Sequence, residues 1–525
     1  MMDTLVSLFL IATISASASA SAINTQACKA SRFPASCVDR LSNSTAALPP
    51  NPTASDIILS VFTSSLYDVR TALAVSQSIL DSSAGDRNRT TAALNCIELL
   101  TFSHRRLSAA ATSDLSSADA RVWAGAALLY QYDCWSALKY VNYTAQVADA
   151  LSFLSDLNNR TSDGLSMLAA LQRYGGDTSL WAPPQTERDG YWGDPVEEPQ
   201  QACRGVPRDV PANATVCKIG GCDYETVQAA VEAAPANMSD GRFVIRIKKG
   251  IYDEIVRVPY EKSNLLFIGD GMGITVITGN LSADEVGVTT YNTATVAVAG
   301  DGFMARDLTI RNTAGAAAHQ AVAFRASADF TFLDTVELYG KQDTLYAHSL
   351  RQYYKSCRIS GTVDFIFGNS AAVFENCLLL VAPHPFDPLK GESDTVTAHG
   401  RTDPAQPTGF VFHNCSLNAT IGMWKLYRED PAMHRVYLGR PWKEYSRTVF
   451  LGCYLEEVLR PEGWMPWNED FALRTLFYGE FESQGPGADP AGRVWWSSQI
   501  PAEHVAVYSL DNFIQGKRWI PLSDR

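Results

Sequence analysis

Short apolar stretches ending in FMARD, FLDT, YKSC, FENC, FHNC and FLGC recur through the C-terminal half of the chain. Aligned on their ends, they place Asp307, Thr335, Cys357, Cys377, Cys415 and Cys453 at one position, with steps of 28, 22, 20, 38 and 38 residues. Steps of 20 to 28 suit one three-strand rung of a parallel β-helix, and the longer steps suit a rung that carries a loop. Recurrence of this kind marks a solenoid, because each rung can hide its inner face only against its neighbours. Stacked rungs lie about 4.8 Å apart, so residues one period apart sit above one another. Gln320, Gln342 and Asp364 step by 22 and are expected to form a column. Asp343 falls on the opposite face under strict strand alternation unless a bulge or turn intervenes.

A chain of 525 residues exceeds one ordinary domain, and its 46% apolar content is enough for substantial cores. Residues 1–22 read as a secretory signal, with an apolar run from Leu5 to Ile14 followed by small residues. That run is too short to cross a bilayer, and no later run of about 18 apolar residues is evident, so no membrane span is expected. Nine Asn-x-Ser/Thr sequons, from Asn43 to Asn418, agree with passage through a secretory pathway. Eleven cysteines in an oxidising compartment favour disulfides. The pairs read from spacing are Cys28 with Cys37, Cys96 with Cys134, Cys217 with Cys222, and Cys357 with Cys377 on adjacent rungs. Cys415 and Cys453 stack in the same way, and Cys203 is left over. The formal charge of −13 argues against nucleic acid as a partner, and an acidic substrate would need a local basic or polar cleft.

Residues 23–172 carry helical periodicity. Ile58, Phe62, Leu66, Val69 and Leu73 put one apolar stripe on one helix face, and similar stripes run through Val122–Val141 and Val147–Leu171. Short polar breaks separate them, so an antiparallel four-helix bundle is expected. Residues 173–211 are rich in Pro, Gly and charge and read as a linker, with single arginines at 173, 188, 204 and 208 and no adjacent basic pair. Residues 212–525 read as strands and turns. A small helix from Tyr224 to Ala234 would close the end of the solenoid, and the tail NFIQGKRWIPL would pack along its outside.

Asp343 and Asp364 are the candidate reactive pair. Two carboxylates in unlike environments can divide the work, one ionised and attacking, the other protonated and donating. Gln320 and Gln342 offer neutral amide donors for a developing oxyanion, and Arg440 can lock a carboxylate through two parallel hydrogen bonds. Tyr346, Phe367, Trp442, Trp464 and Trp467 could form a platform for sugar rings.

Two resemblances bear on these residues. INTQACKASRFPASCVDRL, followed by the helices of Cys96 and Cys134, resembles the plant invertase and pectin methylesterase inhibitor family. HQAVAFR (319–325), GKQDTLYAH (340–348), GTVDFIFGNS (361–370) and LGRPWKEYSRTV (438–449) resemble the signature blocks of pectin methylesterases. The second resemblance implies a right-handed parallel β-helix that removes methyl esters from galacturonate units of cell-wall pectin. It also implies a secreted, extracellular monomer in the cell wall, acted on in some cases by separate inhibitor proteins. Carried over by motif, Asp364 is the nucleophile, Asp343 the general acid and then base, Gln320 and Gln342 the oxyanion amides, Arg440 the orienting residue and Trp442 a wall of the sugar site. Tyr346, Phe367 and Trp464 are subsite aromatics. A two-carboxylate ester hydrolysis requires no metal or organic cofactor. Lys341 departs from the pattern, standing where many relatives carry an aromatic, and a cation there would favour negatively charged neighbouring units. The bundle is expected to mask the cleft or to assist folding and export. A rival reading makes the chain a regulator with an inert β-helix. A serine esterase is disfavoured by the lack of a G-x-S-x-G elbow, a polygalacturonase by the lack of a GHG block, and a pectate lyase by the lack of clustered acids.

Overall fold

The computed structural model describes residues 23–42, 48–193, 195, 205–384 and 391–521. The expected signal segment, Asn43 and Cys203 lie outside these residues. The chain forms two compact units, one of residues up to 185 with the short segment 403–407, the other of residues 186–402 and 408 onward.

The first unit is built on four long helices, α1 (Ala54–Asp81), α2 (Arg87–Thr112), α3 (Ala118–Lys139) and α4 (Ala145–Tyr174). Each starts at a side chain that accepts a hydrogen bond from an otherwise orphaned backbone N–H: Thr53, Asp86, Ser117 and Thr144. Thr53 and Asp56 form a reciprocal capping box. The stripe on α1 is legible in the structure: Ile58, Phe62 and Val69 are fully or almost fully buried, and Leu66 and Leu73 partly. α1 is long and apolar enough to cross a membrane on those criteria alone, yet its apolar face lies in the bundle core. Gly164 lets α4 approach α1 closely, since a Cβ there would sit 2.7 Å from the Phe62 ring. Disulfides join Cys28 to Cys37, and Cys96 on α2 to Cys134 on α3. Buried Asp163 on α4 accepts from Ser31 at 2.6 Å and pairs with Arg40 at 2.6 Å, which ties the N-terminal segment to the helix.

The second unit is a right-handed parallel β-helix. All its strand pairings are parallel and fall into a 17-stranded and a seven-stranded sheet. The seven strands are β1 (Val256–Val258), β2 (Val296–Val298), β3 (Phe324–Ala326), β4 (Leu345–Ala347), β5 (Ile366–Gly368), β6 (Glu392–His399) and β7 (His434–Gly439), paired in that order. In the interior, like residues stack rung upon rung: Tyr354, Phe374, Phe412 and Phe450 form a ladder with ring centroids 4.7, 4.5 and 4.5 Å apart. Helix α5 (Val227–Ala233) buries Val227, Ala230 and Val231 against one end of this core, and the Cys217–Cys222 disulfide closes the loop before it. The C-terminal tail packs Phe513, Ile514 and Ile520 on the outer face of Tyr353, Val373, Val411 and Val449.

Three expectations are corrected here. The recurring column is shifted by one residue in its first two members, since Leu308 pairs with Val336 and Glu337 with Arg358. Leu308 and Val336 therefore share the column of Cys357, Cys377, Cys415 and Cys453. Asp307 and Thr335 instead share a corner with Ser356, Asn376, Asn414 and Gly452, all at φ between 49° and 60°. A left-handed corner interrupts strand alternation and favours Gly and short polar side chains such as Asn and Asp, hence the slip. Second, Cys357 and Cys377 are free buried thiols, as are Cys415 and Cys453. Each sulfur points at a carbonyl of the preceding rung, Cys357 at Leu333, Cys377 at Tyr354, Cys415 at Phe374 and Cys453 at Phe412. Stacked side chains in one repeated conformation stay about a strand spacing apart, whereas a disulfide needs about 2.05 Å. Third, the stretch read as linker is not loose throughout, because α4 runs to Tyr174 and residues from 186 pack on the solenoid. Glu187 is buried against Arg447 at 2.7 Å, and the Trp192 ring stacks on His504 at 4.4 Å. The Val206 N–H donates to Asp334 at 2.9 Å. Proline and charge in a sequence do not distinguish a free tether from a strap whose few large side chains find pockets.

Candidate active site

Asp343 and Asp364 stand just before β4 and β5. Leu345 pairs with Ile366, so at the same 21-residue step Asp343 lies beside Asp364 on the next rung, and Gln342 beside Val363. The Gln320, Gln342 and Asp364 column expected from a step of 22 is thus out by one. Both aspartates have left-handed backbone, φ 65° and 52°. This is the turn that lets Asp343 escape strand alternation and join Asp364.

The two carboxyls have unlike surroundings. Asp364 is 5% exposed and accepts from Arg440 Nε at 2.8 Å and Nη2 at 2.7 Å, and from the Thr395 hydroxyl at 2.6 Å. The Asp364 N–H in turn donates to the Thr395 hydroxyl at 2.9 Å. Arg440 follows β7, and its guanidinium lies over the Trp467 ring at 4.3 Å. Asp343 is 7% exposed and has no such clamp among the described residues. Burial pushes its pKa well above the usual carboxylate range, the neighbouring Asp364 charge pushes it further, and Arg440 opposes both. Asp343 is thus a buried carboxyl with a raised pKa beside one held by arginine.

The outer face of the seven-stranded sheet supplies an aromatic surface. Arg325 pairs in register with Tyr346, and Tyr346 with Phe367. Tyr346 and Phe367 stack at 4.2 Å, and the edge of Phe367 meets Trp442 at 5.9 Å. Gly400 makes room for Trp442, since a Cβ there would come 2.7 Å from its ring. Gln320 and Gln342 are half-buried, and among the described residues their side-chain amides have no hydrogen-bond partner. Trp464 is the exception among the expected aromatics. It is 1% exposed in the solenoid core, stacked on Tyr478 at 4.1 Å with its N–H donated to Glu480 at 3.2 Å. Trp467, 37% exposed, is the tryptophan of that loop that faces the carboxylates' arginine. Lys341 donates to the Pro383 carbonyl at 3.0 Å; burial pushes its pKa down, and the nearby Asp394 and Glu392 charges oppose that. The sequence reading missed Thr395 and Arg325, one an ordinary strand threonine and the other lying inside a motif quoted for its glutamine.

A right-handed parallel β-helix bearing this face places the C-terminal unit in a class of solenoid enzymes. The solved pectin methylesterase from carrot matches it with a TM-score of 0.57 at 44% identity, over 60% of this chain and 97% of that one. The pectin methylesterase of Aspergillus niger gives a TM-score of 0.51 at 26% identity, over 61% of this chain and 99% of that one. The family described as Pectinesterase matches residues 213–517, and that described as Plant invertase/pectin methylesterase inhibitor matches residues 22–169. A probable pectinesterase/pectinesterase inhibitor of Arabidopsis thaliana is 52% identical over 94% of this chain and 83% of its own length. The chain belongs to the pectinesterase family, carboxylic ester hydrolases, and carries an inhibitor-family domain at its N-terminal side.

Proposed function

We propose that this enzyme hydrolyses methyl esters of galacturonate units in pectin of the cell wall, with Asp364 as nucleophile and Asp343 as general acid and base. The observation that carries the reading is the division of environment between neighbouring carboxyls, one gripped by Arg440 and Thr395, the other buried with its pKa pushed up. Asp364 attacks the ester carbonyl carbon, and the negative charge that builds on its oxygen meets the unpartnered amides of Gln320 and Gln342. The carbonyl re-forms, the carbon–methoxy bond breaks, and the Asp343 proton passes to the departing oxygen, giving methanol and an acyl-enzyme. Asp343, now a carboxylate, takes a proton from water as that water attacks the acyl carbon. The galacturonic acid leaves, and Asp364 is again a carboxylate. Trp442, Tyr346 and Phe367 hold the sugar rings.

Methanol release from highly esterified pectin tests this. Wild type should release it, and Asp364→Asn should lose on the order of 10³-fold or more in kcat. No release by wild type at any pH would favour a regulator with an inert solenoid, a reading kept alive by the inhibitor-family domain. The bundle is read as a mask over the site or an aid to export. A chain shortened to residues 186–525, which keeps the Glu187 strap, should then turn over faster than the full chain if masking is right, and equal turnover would exclude masking.

A further inference from the structure

Arg325 lies on the substrate side of β3, one rung before Tyr346 and two before Phe367. It is 5% exposed and shares its column with Tyr346 and Phe367. Its guanidinium lies 3.4 Å over the Tyr291 ring, and Nη1 donates to the Ser327 hydroxyl at 3.1 Å, which itself meets His348 Nδ1 at 2.7 Å. Nε is buried without a hydrogen-bond partner, and among the described residues no carboxylate forms an ion pair with Arg325. Two other arginines with buried side chains are answered by carboxylates: Arg351 by Asp329 at 2.6 Å and Arg493 by Glu480 at 2.8 Å. A buried cation met only by a ring face and one neutral hydroxyl lacks the anion that burial normally demands. Lys341, the cation expected from sequence to read charge on the substrate, is engaged with the Pro383 carbonyl at 3.0 Å.

We propose that Arg325 is a specificity-determining residue that binds the free carboxylate of a galacturonate unit neighbouring the reacting ester. The inference rests on the esterase reading above. A polymer laid along the ladder with its ester at Asp343 and Asp364 crosses the rung that carries Arg325, which stands in register with Tyr346, three residues on from Asp343. A methyl ester there is neutral and leaves the guanidinium unanswered, whereas a carboxylate supplies the missing charge through a charge-assisted hydrogen bond. The enzyme therefore prefers chains that are already de-esterified on the Arg325 side.

The test is calorimetric titration of the full chain with a fully de-esterified galacturonate hexamer, together with kcat/KM for methanol release from highly and from partly de-esterified pectin. Arg325→Met should bind the hexamer about tenfold more weakly than wild type, the loss expected for one charge-assisted hydrogen bond. Its kcat/KM should fall further on partly de-esterified than on highly esterified pectin. Arg325→Gln carries the same readout should the Met variant fail to fold. Equal hexamer affinity in wild type and variant, including no detectable binding by either, overturns the proposal, as does a loss of discrimination in Lys341→Met but not in the Arg325 variants. Arg325-dependent hexamer binding with no methanol released from any pectin would instead overturn the esterase reading and leave the carboxylate site standing.

Discussion

The bundle and the solenoid each bury an aspartate, and they treat it differently. Asp163 in the bundle has its oxygens taken up by Ser31 and Arg40, and it serves to fix the N-terminal segment on α4. Asp343 in the solenoid is as deeply buried, yet its nearest charged company is another carboxylate and an arginine already committed to that carboxylate. Asp163 thus serves to close the bundle's own structure. The solenoid leaves some polar groups unanswered on the outer face of one sheet, among them Asp343, Arg325 and the amides of Gln320 and Gln342, and unanswered polar groups are where a substrate can contribute.

The contrast can be broken or sharpened by substitution. After Asp364→Asn itself, the largest effect is expected from Arg440→Lys, which keeps the charge and removes the two-pronged grip on Asp364. We expect kcat for methanol release to fall about 100-fold with the fold intact by circular dichroism, and a change within about threefold would show that the grip is not needed. Glu187→Gln leaves Arg447 buried without its anion and should destabilise by about 3 kcal/mol in thermal denaturation. The double variant Glu187→Gln/Arg447→Met should recover much of the loss, and an unchanged melting temperature in the single variant would make residues 186–192 a mere tether.

Asp394 provides a pH test within the solenoid. It stands in register with the core residue Val436, is fully buried, and has its pKa pushed up to about 6, chiefly by burial. A carboxyl whose folded pKa lies above its unfolded value, about 3.9, holds more protons when folded. Its stabilising contribution is therefore full below about pH 4 and lost as pH rises through about 6. Asp394→Asn should remove up to about 3 kcal/mol of that pH dependence from denaturant unfolding measured between pH 4 and 7. An identical slope in wild type and variant would contradict it. The smallest effect belongs to the bundle: Thr53→Ala removes the α1 cap and should cost about 1 kcal/mol in the same denaturation measurement.

Much of this was legible in the sequence, for reasons that differ by region. The stripe from Ile58 to Val69, three of the four disulfides and the rung period follow from rules that act over a few residues, and those elements stand as read. The one-residue errors have a common origin in left-handed corners at Asp307, Thr335, Asp343 and Asp364, where strand alternation is suspended and counting by period loses its phase. Trp464 and Trp467 lie three residues apart in one loop, and nothing in the string RPEGWMPW says which turns inward. Arg325 was invisible for another reason, since its interest lies in a missing partner, and absence of a counter-charge is a property of packing.

The central claim is that neighbouring carboxyls hold different protonation states in the resting enzyme. Infrared difference spectra across a pH titration, taken in an Asp68→Asn/Asp163→Asn/Asp394→Asn background to remove the other raised carboxyls, test it directly. The account predicts a protonated carboxyl band that persists well above pH 4, about where ordinary carboxyls ionise, and that vanishes in Asp343→Asn. A band that titrates near pH 4, or that survives the loss of Asp343, would contradict it.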